Sequence, residues 1–168
     1  MIQEFSVSNF RSIKETQTIS FLPNKRISNS SDEFLLIRVN EKVSLLKLGV
    51  LYGYNASGKS NIIKCLAIIK EFALNGWSNL KYNYFKMTDE LQERSSIELE
   101  FKADNQFFAY GVAFSKGGLL EEWLYKTGSR NDTMIFERKR NGDSWNNNIA
   151  PQFLKDKDGQ FLKFLRSE

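Results

Sequence analysis

The sequence predicts an α/β fold in which a short strand, a glycine-bearing loop and a helix are flanked by a mostly antiparallel β-meander. Residues 48–52 form an apolar run with the length of a buried strand. Apolar residues then recur at three-to-four spacing over 62–73, as on one face of a helix. From Ser95 the hydrophobic period changes to two, which is typical of strands. The 168 residues are expected to form one domain (1–168), with a loop-and-helix part at 1–75 and an antiparallel part at 95–140.

Four short segments ahead of the loop have the alternation or composition of strands. They are Ile2–Phe10, Thr16–Phe21, Phe34–Val39 and Val43–Leu46. The last two are predicted to form a hairpin around 40–42, and the polar, turn-rich stretch 23–33 is predicted to be a loop. Leu48–Tyr52 is predicted to be the buried strand that leads into the glycine-bearing loop.

The helix after the loop is predicted from apolar residues on one face and charged residues on the other. Its apolar positions are Ile62, Ile63, Leu66, Ile69, Phe72 and Ala73. Asn75-Gly76 marks its end. Cys65, the only cysteine, is expected to pack on this helix as a small hydrophobic residue rather than to act as a redox sensor. The stretch 77–94 is ambiguous.

An antiparallel meander is predicted after Ser95, because alternating segments are separated by turn sequences. The segments are 97–102, 107–114, 119–125 and 134–138, and the turns lie at 103–105, 115–118, 126–128 and 141–142. The tail, 151–168, has the apolar content to begin a further helix.

Composition restricts the functional class. The absence of histidine excludes a histidine base, a histidine metal site and a Ser-His-Asp triad in this chain. A single cysteine excludes an intrachain disulfide. The N-terminus lacks the features of a signal peptide, and no apolar run approaches the length of a membrane span, so a cytoplasmic protein is expected. A net charge of +4 permits nucleic-acid contact without arguing for it.

The glycine-bearing loop fits the P-loop (Walker A) pattern G-x-x-x-x-G-K-[ST] completely. Its residues are Gly53, Tyr54, Asn55, Ala56, Ser57, Gly58, Lys59 and Ser60. The two glycines let the backbone wrap closely, so that successive N–H groups and the helix N-terminus converge on phosphates. Lys59 is expected to reach the β and γ phosphates of ATP, and the Ser60 hydroxyl to ligate Mg²⁺. The alternative is a glycine-rich turn carrying a surface lysine.

Two segments together resemble the RecF, SMC and OLD-type ATPases, which are relatives of the ATP-binding-cassette proteins. The segments are Asn9-Phe10-Arg11-Ser12-Ile13-Lys14 and the loop with the following Asn61. The resemblance implies that Arg11, with Ser12, approaches the nucleotide phosphates, and that Phe10 stacks on adenine. For Arg11 the alternative is a surface residue between two strands, and for Phe10 it is core packing.

The family's other hydrolytic sequences are not found in this chain. Leu119-Leu120-Glu121-Glu122 is the nearest to an apolar strand ending in Asp-Glu, and its apolar part is too short. Ser115-Lys116-Gly117-Gly118 resembles the family's signature superficially but is expected to be a hairpin turn. A γ-phosphate-sensing glutamine cannot be assigned, with Gln92 and Gln106 the only guesses. The chain therefore resembles the N-terminal lobe of such an ATPase. Three alternatives for the second lobe stay open: it follows in a longer chain, it is encoded separately as a partner, or it has been lost through an interruption of the gene.

Three functional hypotheses follow from these observations. The first is an ATP-driven switch that acts on DNA or RNA, in repair or phage defence, and works with a second lobe or a homodimer partner. The second is a non-catalytic nucleotide-binding scaffold that pairs with another subunit, and the third, ranked last, is a small-molecule kinase.

Some side chains could contact nucleic acid or stack on bases, although a solvated surface or core packing is the alternative for each. They are Arg138, Lys139, Arg140, Arg130, Lys25, Arg26, Trp77, Trp123 and Trp145.

Overall fold

The computed structural model describes residues 1–24, 34–41, 43–76, 85–86, 94–128 and 130–152. Within these residues one helix follows four strands, and five strands come after it. The elements are β1 (Ile2–Ser8), β2 (Gln17–Ser20), β3 (Leu36–Arg38), β4 (Ser44–Leu46), α1 (Lys59–Asn75), β5 (Ser95–Ala103), β6 (Gln106–Ser115), β7 (Gly118–Thr127), β8 (Thr133–Asn141) and β9 (Ser144–Ile149).

The main sheet has seven strands in the order β2-β1-β5-β6-β7-β8-β9, and every neighbouring pair is antiparallel. The predicted meander is confirmed, and the turns that join β5 to β6 and β6 to β7 lie where they were predicted. Strand β7 extends to Thr127, so the link to β8 begins at Gly128 and not at Lys126. Alternate residues of β5 and β6 face the core in pairs such as Ile97↔Val112 and Leu99↔Tyr110. β3 and β4 form the predicted hairpin as a separate two-stranded sheet.

Helix α1 packs on one face of this sheet, against β1 and β5. Its buried residues are Cys65, Ile69 and Phe72, which recur at helical spacing. The helix ends as predicted, because Gly76 adopts a positive φ of 74° and its N–H donates to the Phe72 carbonyl at 2.9 Å. The core between helix and sheet centres on fully buried side chains of both layers. They include Phe5, Val7, Phe10, Ile69, Phe72, Ile97, Val112 and Leu119.

The predicted buried strand at Leu48–Tyr52 is wrong. These residues form no strand and make no backbone hydrogen bond within the described part of the chain. Val50 is 73% and Tyr52 92% exposed. A strand needs a neighbouring backbone to pair with, and β1 is already paired on both sides, by β2 and β5. Pairing in this region stops just before, where the Lys47 N–H donates to the Leu35 carbonyl.

Strand β9 extends the meander beyond the predicted elements. Its sequence is Ser-Trp-Asn-Asn-Asn-Ile, and asparagine is depleted in strands. The segment is nevertheless a strand, because it pairs with β8 from Phe136↔Ile149 to Asn141↔Ser144, around the predicted turn at 141–142. The described residues contain no helix both long enough and apolar enough to cross a bilayer. The predictions for 77–84, 87–93 and 153–168, and for most of the loop at 23–33, lie outside the described residues.

Candidate functional site

The loop before α1 has a backbone suited to a tight wrap. Gly53 and Gly58 adopt φ values of 151° and 95°, and Ala56 adopts 66°. These values lie in or beyond the left-handed region, which glycine enters without strain. The Ser57 N–H donates to the Tyr54 carbonyl at 3.2 Å and closes a turn inside the loop. The two motif glycines therefore stand where the chain turns, as the sequence predicted.

The Lys59 side chain folds back across this loop. Its ammonium donates to the carbonyls of Gly53 and Tyr54, both at 2.6 Å, and lies 3.4 Å from the Ser57 hydroxyl. All the acceptors are neutral, and an ammonium forms stronger hydrogen bonds with an anionic oxygen. A phosphate oxygen entering the loop can therefore replace one of these neutral acceptors as a hydrogen-bond partner of Lys59.

The N-terminal end of α1 carries the partial positive charge of a 17-residue helix. Gly58 is its N-cap, no side chain caps it, and its first turn holds no acidic residue. The exposed Ser60 lies in that first turn. An uncapped helix end, an ammonium and a hydroxyl lie together, and this donor set fits an anionic phosphate with a hard cation beside it.

The turn between β1 and β2 contacts this end of the helix. Phe10 and Ile13 exchange backbone hydrogen bonds of 2.8 and 2.9 Å, so that Arg11 and Ser12 are the two central residues of a tight turn. The Asn61 amide donates to Ser12 Oγ at 2.8 Å. The structure thus brings Ser12 and Asn61 together beside the loop.

Arg11 lies beside the core, against the Phe10 ring and near Cys65 of α1. Its guanidinium carbon is 5.4 Å from the centroid of the Phe10 ring, and its charge acts on the thiol of Cys65 in α1. Its φ is 54°, and its buried Nε has no hydrogen-bond partner among the described residues. Phe10 is 1% exposed and packs edge-on against Phe114, so stacking on adenine is contradicted and core packing is confirmed.

Cys65 behaves as the sequence predicted. The side chain is fully buried, and burial raises the pKa of its thiol to about 12, against the smaller opposing effect of Arg11. The thiol is therefore neutral at physiological pH, which disfavours redox sensing.

The two carboxylates considered for hydrolysis, Glu121 and Glu122, are both ion-paired with arginines. Glu122 is 1% exposed and accepts from Tyr110 Oη at 2.7 Å and from Arg138 Nε at 2.6 Å. Burial and the adjacent Glu122 charge raise the pKa of Tyr110, which therefore stays a neutral donor. Glu121 is paired with Arg94 at 2.6 Å. Ser115 and Gly118 pair across a hairpin turn, which confirms that alternative to a signature sequence.

The expected basic cluster is not one surface. Arg138 is 5% exposed and ion-paired inside the protein, so its contact with nucleic acid is contradicted. The exposed Arg140 donates to the carbonyls of Gly142 and Gly117 at 3.0 and 2.9 Å, and the exposed Lys139 pairs with Glu137 at 3.1 Å. Alternate strand residues point to opposite faces, which separates Arg138 from Lys139. Arg140 lies on the same face as Arg138 but is exposed, near the end of β8.

The tryptophans within the described residues have structural contacts. Trp123 Nε1 donates to Glu98 at 2.7 Å, and Trp145 stacks on the Arg138 guanidinium at 5.0 Å. Arg130 and Gln106 are exposed. Trp77, Lys25, Arg26 and Gln92 lie outside the described residues.

One contributor to the site carried no recognisable signal. The Tyr54 carbonyl accepts a hydrogen bond from Lys59, but backbone acceptors leave no trace in residue identity, and Tyr54 occupies a variable position of the motif.

No group of three or more Asp, Glu or Cys residues lies close enough together to form a metal site among the described residues. The residues of the loop and the adjoining turn, 53–61 with Ser12, are the candidate site.

Comparison with known proteins agrees with this site. Residues 48–152, more than half of the chain, match the family described as "AAA domain, putative AbiEii toxin, Type IV TA system". No curated protein matches at a significant level. The matched region contains the whole glycine-bearing loop, α1 and the meander from β5 to β9. The chain therefore belongs to this family of AAA domains, which identifies it as a P-loop ATPase-type domain and implies nucleotide binding.

Proposed function

We propose that this chain binds ATP with Mg²⁺ at Gly53–Ser60, as the N-terminal lobe of a RecF/SMC/OLD-like ATPase of the cytoplasm. One observation carries the proposal. The Lys59 ammonium lies against the carbonyls of a loop that leads directly into the uncapped N-terminus of α1. Positive charge and backbone donors therefore converge where no acidic side chain of the first helical turn opposes an anion.

Each residue of the loop has a separate part in this proposal. The amides of Asn55, Ala56, Ser57 and Gly58 and the first amides of α1 bind phosphate oxygens. Lys59 neutralises the β and γ phosphates, and Ser60 holds Mg²⁺ through its hydroxyl. Bound Mg²⁺ supplies charge neutralisation at the phosphates. Arg11 joins them by turning from the Phe10 ring, which would give its unpartnered Nε an acceptor.

Hydrolysis is proposed to need a second lobe or a homodimer partner. Within the described residues, Glu121 and Glu122 are already ion-paired, so neither is free to orient an attacking water. The exposed run Leu48–Tyr52 supports this, because an apolar segment without backbone pairing among the described residues suits the addition of a partner's strand. The same two ion pairs favour the alternative, a non-catalytic nucleotide-binding scaffold.

The biological role is proposed from kinship alone. The matched family's description names a toxin of a toxin–antitoxin system, which is compatible with phage defence or another DNA-linked role. Fold-level analogy is an associational argument, and the site itself supports nucleotide binding.

Thermal unfolding with and without ATP–Mg²⁺ tests the proposal. At about 100 times its dissociation constant, a ligand specific to the folded state adds roughly 2.7 kcal/mol of stability. Lys59→Ala should abolish the shift, and Lys64→Ala, an exposed lysine one turn along the same helix, should retain it. A shift that survives Lys59→Ala, or no shift with any nucleotide, contradicts the site. Phosphate release by the isolated chain contradicts the need for a second lobe.

A further inference from the structure

The turn between β1 and β2 has a rigid base and a free tip. Phe10 and Ile13 are 1% and 7% exposed and pair through two backbone hydrogen bonds, so the base of the turn belongs to the core. The Asn9 N–H also donates to the Lys14 carbonyl at 3.1 Å. The base is therefore fixed without any contribution from the side chain of Ser12.

The tip of the turn lies against the phosphate-binding end of α1. Asn61, in the first turn of that helix, donates from Nδ2 to Ser12 Oγ at 2.8 Å, although 49 residues separate them. A Cβ placed on Gly58, the N-cap, would lie 3.1 Å from the same Ser12 oxygen. Turn tip, loop glycine and helix therefore meet at one atom.

We propose that Ser12 and Asn61 form a latch that positions the β1–β2 turn on the nucleotide loop, an inference that rests on the proposed nucleotide site. In this assignment both are positioning residues, because the Asn61 amide is directed to Ser12. The latch holds Gly58 and the first turn of α1 at one distance from Arg11.

A purely structural role fits less well. Ser12 is exposed, and an exposed neutral hydrogen bond adds little to folding. The next residue along the turn supports a functional reading, since Arg11 combines a positive φ with a buried, unpartnered Nε. Such outliers persist where the surroundings enforce them, and they cluster at functional sites.

A double-mutant cycle measured on nucleotide binding tests the latch. The probe is a fluorescent N-methylanthraniloyl ATP with Mg²⁺, titrated into wild type, Ser12→Ala, Asn61→Ala and the double variant. Each single variant should weaken binding about 3- to 10-fold, the effect of one neutral hydrogen bond. The double variant should bind the probe no more weakly than the worse-binding single variant, because the two single substitutions remove the same hydrogen bond. Ser12→Thr, which keeps the hydroxyl, should bind like wild type.

Two control variants lose bonds of the same length at other places. Ser6→Ala removes the 2.8 Å bond to Thr18 within the same pair of strands. Asn75→Ala removes the 2.8 Å bond to Glu71 at the far end of the same helix. Both should bind the probe with wild-type affinity.

The outcomes separate the two proposals. Wild type that binds no nucleotide overturns the proposed function and, with it, the latch's role. Wild-type binding with unchanged Ser12→Ala and Asn61→Ala variants overturns the latch alone. Single effects that multiply in the double variant also overturn it, since they mean that the two side chains contact nucleotide independently. Equal coupling in the unfolding of the nucleotide-free protein would show a bond that is merely structural.

Discussion

Glu122 and Arg138 show how burial decides what a charged side chain does. Their 2.6 Å ion pair lies on the inner face of the sheet, and Tyr110 donates to the remaining carboxylate oxygen. A buried carboxylate is tolerated only when its lone pairs are satisfied, and here they are. The pair therefore belongs to the core and not to a surface for nucleic acid or water activation.

Breaking that pair on one side should be strongly destabilising. Arg138→Met leaves the Glu122 charge buried and is expected to cost about 3–5 kcal/mol in urea unfolding. Glu122→Leu combined with Arg138→Met removes both charges and should cost clearly less. Arg140→Met, at an exposed position two residues on, removes only solvent-exposed hydrogen bonds to two backbone carbonyls and should cost clearly less than Arg138→Met. Equal losses for Arg138→Met and Arg140→Met would contradict the burial of Arg138.

Glu100 should make stability depend on pH. Burial, followed by the charges of Glu4 and Glu98, raises the pKa of this carboxyl in the folded protein. An acid whose pKa is higher when folded destabilises the protein at pH values above that pKa. Glu100→Gln keeps the acceptor oxygen for the Gln3 amide, now at 2.9 Å, and should therefore stabilise the protein at neutral pH.

The gain from Glu100→Gln should shrink as pH falls through the raised pKa of the folded carboxyl, and it should vanish below about 4.3, where the unfolded carboxyl is protonated as well. Urea unfolding at neutral and acidic pH measures both quantities. The exposed Glu15→Gln serves as the control. A gain independent of pH would contradict the assigned cause.

At the scale of elements, β6 and β7 meet through a glycine and a tryptophan. Gly111 is the cross-strand partner of Trp123, and a Cβ at residue 111 would overlap the indole ring. The ring is held in place by its 2.7 Å hydrogen bond to Glu98 on β5, so it cannot move aside freely. Three strands of the meander are thereby linked at this position.

Gly111→Ala should destabilise the sheet by about 1–3 kcal/mol, the usual cost of overpacking. Trp123→Leu removes the obstruction, so adding Gly111→Ala to that variant should cost less than adding it to wild type. Ala109→Val, on the same strand, is a control without a tryptophan partner, because residue 109 pairs with Tyr125. Gly111→Ala that unfolds like wild type would show that the indole is not fixed.

At the scale of the whole molecule, α1 packs on one face of the seven-stranded sheet, against β1 and β5, while the run before the loop stays exposed. Two valines allow the exposed run and the core to be compared, because Val50 is 73% exposed and Val112 is fully buried in β6. Both belong to segments that the sequence predicted as strands, 48–52 as a buried strand and 107–114 as part of the antiparallel meander.

Val112→Ala should cost about 1.5–3 kcal/mol, from lost transfer free energy and the cavity left behind. Val50→Ala should stay within about 0.5 kcal/mol, since no packed contact is lost. Chemical denaturation of the two variants is the measurement. Equal losses would mean that the run 48–52 is buried, and would restore the strand predicted there.

The periodic and motif-based predictions succeeded because they depend on local chemistry. Three patterns gave correct predictions: alternation in β5 to β8, helical spacing up to Asn75, and the glycines of the loop. Each pattern restricts the backbone conformation of residues that are close in sequence, so the signal can be read from neighbouring residues. The family match over 48–152 agrees with the loop that the sequence identified. Its individual phosphate and metal roles stay predictions.

By itself, the sequence determined the meander, the helix and the glycine-bearing loop, since each follows from residue types at fixed short spacing. Only the tertiary structure decided that Leu48–Tyr52 is exposed, that Arg138 is buried on Glu122, and that Ser12 bonds with Asn61. Pairing and burial depend on which distant segments meet, and a backbone or a charge is satisfied only by a partner that local sequence does not name.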